Sequence, residues 1–137
     1  MCQASTTIEH PNATLVRQGY QAFSQGDIAG LTALIAPDAV WYSPGANPLS
    51  GEYNSIEAIL GYFAKFATLS QGQFRVELVD VLANESRVAV ITRDTATRNG
   101  KTMSWEGGVI FQMQDGKLQS AQAFNFDQAA VDAFWTA

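Results

Sequence analysis

The chain predicts an α+β domain in which one curved antiparallel sheet wraps around N-terminal helices, and three observations carry that prediction. Apolar residues recur at the helical period in the first half and at a period of two from Phe74 onward. Asn99-Gly100 and Asp115-Gly116 each join two long alternating runs, as hairpin turns do. No linker, repeat or low-complexity segment interrupts the 137 residues, a length that suits one domain.

Each element has a local reason. Leu15, Val16, Gly19, Tyr20 and Phe23 fall at helical spacing, so Asn12 to Gln25 is expected to be an amphipathic helix with Asn12 as N-cap, after a flexible segment 1–11. Gly26 ends it, and Asp27 can cap a second short helix whose apolar residues are Ile28, Leu31, Leu34 and Ile35, stopped by Pro37. Ala39 to Ser43 reads as a short strand that Pro44-Gly45 turns away. Ile56, Ile59, Leu60, Phe63, Phe66 and Ala67 mark a third helix over Asn54 to Leu69. Long strands follow over Phe74–Ala83, Val88–Arg98, Lys101–Gln114 and Leu118–Phe126. Asn84-Glu85-Ser86 turns the first into the second, and Asn99-Gly100 favours a type I′ turn. Asp127 can cap a short C-terminal helix carrying Val131, Phe134 and Trp135. Strands this long twist and curl, here around the third helix and the first. Gly107-Gly108 inside a strand predicts a bulge or a sharp bend.

Composition narrows the function. Hydrophobic residues make up 47% and charged ones 15%, enough for a full core and against disorder. A formal net charge of -5, with no cluster of Lys or Arg, argues against nucleic acid as a partner. No apolar run approaches the roughly 20 residues that span a bilayer, and Met1–His10 lacks a signal-peptide pattern. Cys2 is the only cysteine, read as a frayed terminal residue, so no intrachain disulfide forms and a reducing, cytoplasmic compartment is expected. His10, the only histidine, is read as a surface residue preceding a helix, and it cannot build a His cluster. No metal and no cofactor are expected.

A resemblance rests on specific residues: Ala22-Phe23 followed by Gly26-Asp27, Leu34-Ile35-Ala36-Pro37-Asp38-Ala39-Val40-Trp41, Pro44-Gly45, Pro48-Leu49-Ser50-Gly51, and Asp115-Gly116-Lys117-Leu118. In this order, over about residues 12–135, the chain resembles the nuclear transport factor two-like superfamily, and within it the SnoaL-like branch of the ketosteroid isomerase and polyketide cyclase type. The resemblance implies a cone of curved sheet closed by helices (the cystatin-like roll), a pocket between them, and a homodimer built on the outer sheet face. It does not imply one function, because the superfamily holds enzymes, binding modules and assembly domains.

The family chemistries can be tested position by position. Its steroid isomerases use an Asp base, with a Tyr and a protonated Asp as oxyanion hole. Here those places fall on Ser43, Gly19 and Val109, and a hydroxyl such as Ser43 cannot act as a resting base. The SnoaL-type cyclases carry a His and an Asp near the end of the last strand, where this chain has Ala121 and Ala123. The Asp–Arg–Asp set of the epoxide hydrolases cannot be placed, since Arg93 and Asp94 are adjacent and point to opposite faces of a strand.

One ionisable candidate remains. The family alignment turns Val90, Thr92, Asp94 and Ala96 toward the cavity, giving Asp94 a wall of Phe23, Trp41, Phe63, Trp105 and Phe111. Desolvation there would raise its pKa and make it the general base or acid; the competing reading turns Asp94 outward, into water and toward an Arg. Trp41 and Trp105 each bring an apolar face and one N–H donor, suited to a core or to a ligand clamp. Tyr20, Ser43, Thr92, Val109 and Asn125 complete the expected ligand-binding set. For Asn125 the alternative is a bond to its own backbone that ends the strand, and for Tyr20 it is a hydrophobic staple. Tyr42 should face away from the cavity, and Glu106, Ile110 and Gln112 should share the outer sheet face.

Three functions stay open. The first is a cofactor-independent isomerase, cyclase or dehydratase acting on a small apolar molecule by proton transfer through Asp94. The second is a ligand-binding protein with the same pocket and no chemistry. The third is a protein-interaction module using the outer sheet.

Overall fold

The computed structural model describes residues 9–137. The reading of Cys2 and most of the expected N-terminal segment lie outside the described residues. Helices α1 (Pro11–Gln25) and α2 (Ile28–Leu34) lead into strands β1 (Ile35–Ser43) and β2 (Gly51–Tyr53). Helix α3 (Ile56–Ser70) precedes β3 (Phe74–Ala83), β4 (Arg87–Arg98), β5 (Lys101–Gln114) and β6 (Lys117–Asn125), and α4 (Gln128–Thr136) closes the chain. One six-stranded sheet has the order β2-β1-β6-β5-β4-β3 and packs its inner face on α1 and α3, so the α+β class and the curved sheet stand. Among the described residues no helix is long and apolar enough to cross a membrane.

The turns follow residue chemistry. Gly26 takes φ 67 and ends α1, and Asp27 accepts from Gly30 N at 2.9 Å to start α2. Asn99 (φ 50) and Gly100 (φ 77) are both left-handed, as a type I′ turn requires, and Asp115 and Gly116 repeat the arrangement. Asp127 accepts from Ala130 N and caps α4.

Several expectations are corrected. The sheet is mixed, because β1 runs parallel to β6. Hairpin turns reveal only strands adjacent in sequence, whereas a parallel neighbour needs a long crossover that leaves no local signature. Helix α1 is capped by His10, whose Nδ1 accepts from Asn12 N at 3.1 Å. Asn12 is instead buried, and its amide donates to the carbonyls of Asn84 and Glu85, both at 3.0 Å. Ile35 and Pro37 belong to β1, which starts four residues before the expected Ala39. Proline is tolerated there because the ladder to β6 is irregular between Ile35 and Val40 and β2 has not yet begun to pair. Strand β2 was too short for any period to reveal. Through Gly107 and Gly108 both ladders of β5 run in register, with no bulge. These glycines serve close approach: a Cβ on Gly108 would sit 1.9 Å from the Val90 carbonyl oxygen.

Candidate functional site

The inner face of the sheet and the helices α1, α3 and α4 enclose a cavity of about 140 Å³. Its walls are set by strand alternation. In the antiparallel ladders Val90 faces Val109, Asp94 faces Trp105 and Phe111 faces Ala121, so these side chains share the inner face. Helix α1 adds Tyr20 and Phe23, α3 adds Tyr62, Phe63 and Phe66, and α4 adds Val131 and Trp135. The rings interlock edge to face: Phe23 on Phe63 at 5.5 Å and 80°, Trp41 on Phe63 at 5.0 Å and 87°.

The residues expected to bind or react lie on this wall, namely Asp94, Tyr20, Phe23, Trp41, Ser43, Phe63, Thr92, Trp105, Val109, Phe111 and Asn125, whereas Val90 and Ala96, expected to turn toward the cavity, are fully buried and do not line it. Tyr42, as expected, is on the other face, 39% exposed, together with Ile110 at 42%. Asn125 neither ends the strand on its own backbone nor stands free. Its Nδ2 donates to Gln128 Oε1 at 3.0 Å.

Polar atoms are few, and two are orphaned. Among the described residues, Trp41 Nε1 and Asp94 Oδ1 are the buried side-chain polar atoms that make no hydrogen bond. Desolvation pushes the Asp94 carboxyl up to about 7, opposed only weakly by the neighbouring Thr92 side chain. Burial likewise raises the phenol of Tyr20 far above its ordinary value, with the nearby Asp94 charge adding to it. Burial pushes Tyr62 up to about 12, and its hydroxyl donates to Ser43 Oγ at 3.2 Å. The Trp41 indole lies near enough to hold the Tyr62 value down slightly without hydrogen-bonding to it. Thus at neutral pH the site offers one carboxyl poised between its two forms, plus neutral donors. No Lys, Arg or His lines the cavity among the described residues, and no group of three or more His, Cys, Asp or Glu is placed to hold a metal.

Sequence reading missed two parts of the site. Tyr62 sits three residues after Ile59 on the buried face of α3, a spacing that was available. The other part is a polar junction beside the cavity. Asp132 Oδ1 accepts from Asn47 Nδ2 at 2.6 Å, Gln128 Nε2 at 2.9 Å and Ala46 N at 3.1 Å, tying α4 to the loop after β1. Gly45 passes so close, at φ 88, that a Cβ there would lie 2.2 Å from Gln128 Nε2 and 2.3 Å from Asp132 Oδ1. Only the Pro-Gly pair signalled a turn here; nothing local predicted its partner 85 residues on.

Residues 16–121 match the family model of the SnoaL-like domain. The uncharacterized protein Rv0034 of Mycobacterium tuberculosis (strain ATCC 25618 / H37Rv) is 31% identical over 122 residues, covering 88% of this chain and 93% of its own. Among solved structures, Bal32a from a soil-derived mobile gene cassette is 34% identical with a TM-score of 0.87, over 91% of this chain and 96% of its own. A Xanthomonas campestris protein of unknown function with a cystatin-like fold is 28% identical with a TM-score of 0.84, over 92% and 98%.

Proposed function

This chain belongs to the SnoaL-like domain family, and on that premise we propose that it is a cofactor-independent enzyme that moves a proton on a small, largely apolar molecule, as an isomerase, cyclase or dehydratase. One observation carries the reading: Asp94, half-buried in an apolar, ring-lined cavity, holds one carboxyl oxygen buried and without a hydrogen-bond partner, and its pKa is pushed up to about 7. An unpaired carboxylate is costly in such surroundings. A pKa near the working pH maximises its use as general base or acid. A cavity of about 140 Å³ has room for a ring-sized molecule, on the scale at which an apolar cavity of about 150 Å³ admits benzene. In this reading the aromatic walls bind and orient the molecule and exclude water, and Asp94 takes a proton from carbon and returns it nearby.

The test needs no natural substrate. 2-Tetralone, an enolisable bicyclic ketone, exchanges its α-protons in deuterated buffer, which proton NMR follows. The protein should accelerate exchange, with kcat/KM rising through about pH 7, and Asp94→Asn should lower it by roughly 10²- to 10⁴-fold. If the protein exchanges no faster than Asp94→Asn, the proton-transfer reading falls. The runner-up, a ligand-binding protein without chemistry, then takes its place; Ser43, Ala121 and Ala123 at the family's catalytic places favour it.

The proposal extends to partners and setting. The outer sheet face, with Ile110 at 42% exposure, is the surface we assign to a homodimer. An acidic chain with a single cysteine suits a cytoplasmic protein that binds neither nucleic acid nor membrane.

A further inference from the structure

Trp41 is 7% exposed, and its indole nitrogen is the one buried side-chain donor without a partner among the described residues. Leaving such a donor without an acceptor is costly, and buried donors are nearly always paired. The ring is also held firmly. Phe63 meets it edge-on at 5.0 Å, Phe111 at 5.6 Å, and Tyr62 tilts against it at 5.7 Å. The Tyr62 hydroxyl donates to Ser43 Oγ and keeps its own oxygen open as an acceptor, yet the indole N–H makes no hydrogen bond to it. Three rings press on this indole, and the Tyr62 hydroxyl and Ser43 Oγ beside it are already bonded to each other, so an acceptor carried on an apolar group suits the place better than a lone water, which needs two to four polar partners. An anion is a poor occupant too, since among the described residues no cationic side chain lines the cavity, and an ionised Asp94 carries the same sign.

We infer that Trp41 Nε1 is the specificity-determining donor of the cavity, receiving an uncharged oxygen acceptor carried on an apolar ring, while Asp94 faces the proton-bearing part of the same molecule. This inference rests on the pocket reading above but does not depend on turnover. It assigns Trp41 a hydrogen bond that only a ligand completes. The rest of its ring remains a wall.

The experiment compares two probes of one shape, 2-tetralone and tetralin, which differ in the carbonyl oxygen. The ratio of their Kd values is measured by calorimetry for the intact protein, for Trp41→Phe, and for the protein carrying 3-benzothienylalanine at position 41. The benzothienyl ring keeps the indole outline and replaces N–H by sulfur. Both Trp41 replacements should reduce the preference for the ketone by about ten-fold or more relative to the intact protein, with tetralin binding retained in the benzothienyl form. A ratio unchanged in the benzothienyl protein overturns the assignment while leaving the pocket in place. Failure of the intact protein to bind either probe overturns both.

Discussion

Asn47 Nδ2 donates to Asp132 Oδ1 across 2.6 Å, so one carboxylate at the rim joins the loop after β1 to the C-terminal helix. Pro44, Asn47 and Leu49 on the loop side, and Val131 and Trp135 on the helix side, are all cavity wall. The two lips of the wall therefore meet on a single side-chain oxygen, which makes the junction a latch.

Opening that latch should quicken exchange of the contents more than it changes affinity. Asp132→Ala is expected to raise both the association and dissociation rates of 2-tetralone, by roughly five- to thirty-fold, with a smaller change in Kd, as stopped-flow tryptophan fluorescence would show. The Gln128 amide, then Asn47, hold the Asp132 carboxyl below the usual carboxylate range. A lowered folded-state pKa means that the latch's stabilisation is present above the unfolded value and is lost as pH falls through the folded one. Release should accordingly quicken below about pH 4.

Asp94 has the opposite sign. Its folded pKa, about 7, lies above the ordinary value of 3.8. The folded state then binds the proton more tightly, so the contribution is fully present below the unfolded value and is lost as pH rises through about 7. Thermal melts between pH 5 and pH 8 should show Tm falling as pH rises, by roughly 3–5 °C for each kcal/mol lost. Asp94→Asn should flatten this slope; an equally steep one would place the titration elsewhere.

Two glycines separate backbone approach from backbone conformation. Gly108→Ala drives a Cβ into the Val90 carbonyl oxygen at 1.9 Å, an unyielding backbone contact between β5 and β4. It should cost about 3 kcal/mol or more in urea unfolding. Gly51→Ala, at φ 135 with nothing within 4 Å, adds no clash and carries only its conformational cost, about 1–3 kcal/mol.

The homodimer is tested by mass. Light scattering at micromolar concentration should give about twice the 14.8 kDa of one chain. Ile110→Glu, on the outer face, should return it to one chain without altering 2-tetralone binding. A single-chain mass for the unaltered protein removes the dimer.

What the sequence made legible was local. Period-two alternation placed β3 and β5 to the residue, and it turned Val90, Thr92 and Asp94 to one face, because pleating leaves no choice once the register is set. Gly26, Asp27, Asn99 and Asp127 announced their turns and caps through their own chemistry. The misses share another cause. That Asn12 is buried to bond Asn84 and Glu85, that β1 lies beside β6, and that Asn47 finds Asp132 are all long-range pairings. Each partner looks unremarkable alone, and no period links them. The site divides along the same line: its strand-borne wall could be read, and its rim could not.

The parallel seam between β1 and β6 has a consequence for how the molecule comes into being. Ile35 pairs with Leu118 and Tyr42 with Gln122, contacts separated by about 80 residues, whereas β3, β4 and β5 are joined by tight hairpins. Closing so long a loop costs entropy before any contact rewards it, and contacts of this span slow folding. The hairpin sheet can assemble early, whereas β1 gains its parallel neighbour only once the last strand has emerged. The chamber is thus the last thing the chain completes, and a nascent chain that stops short of β6 has its acidic group but no room to use it.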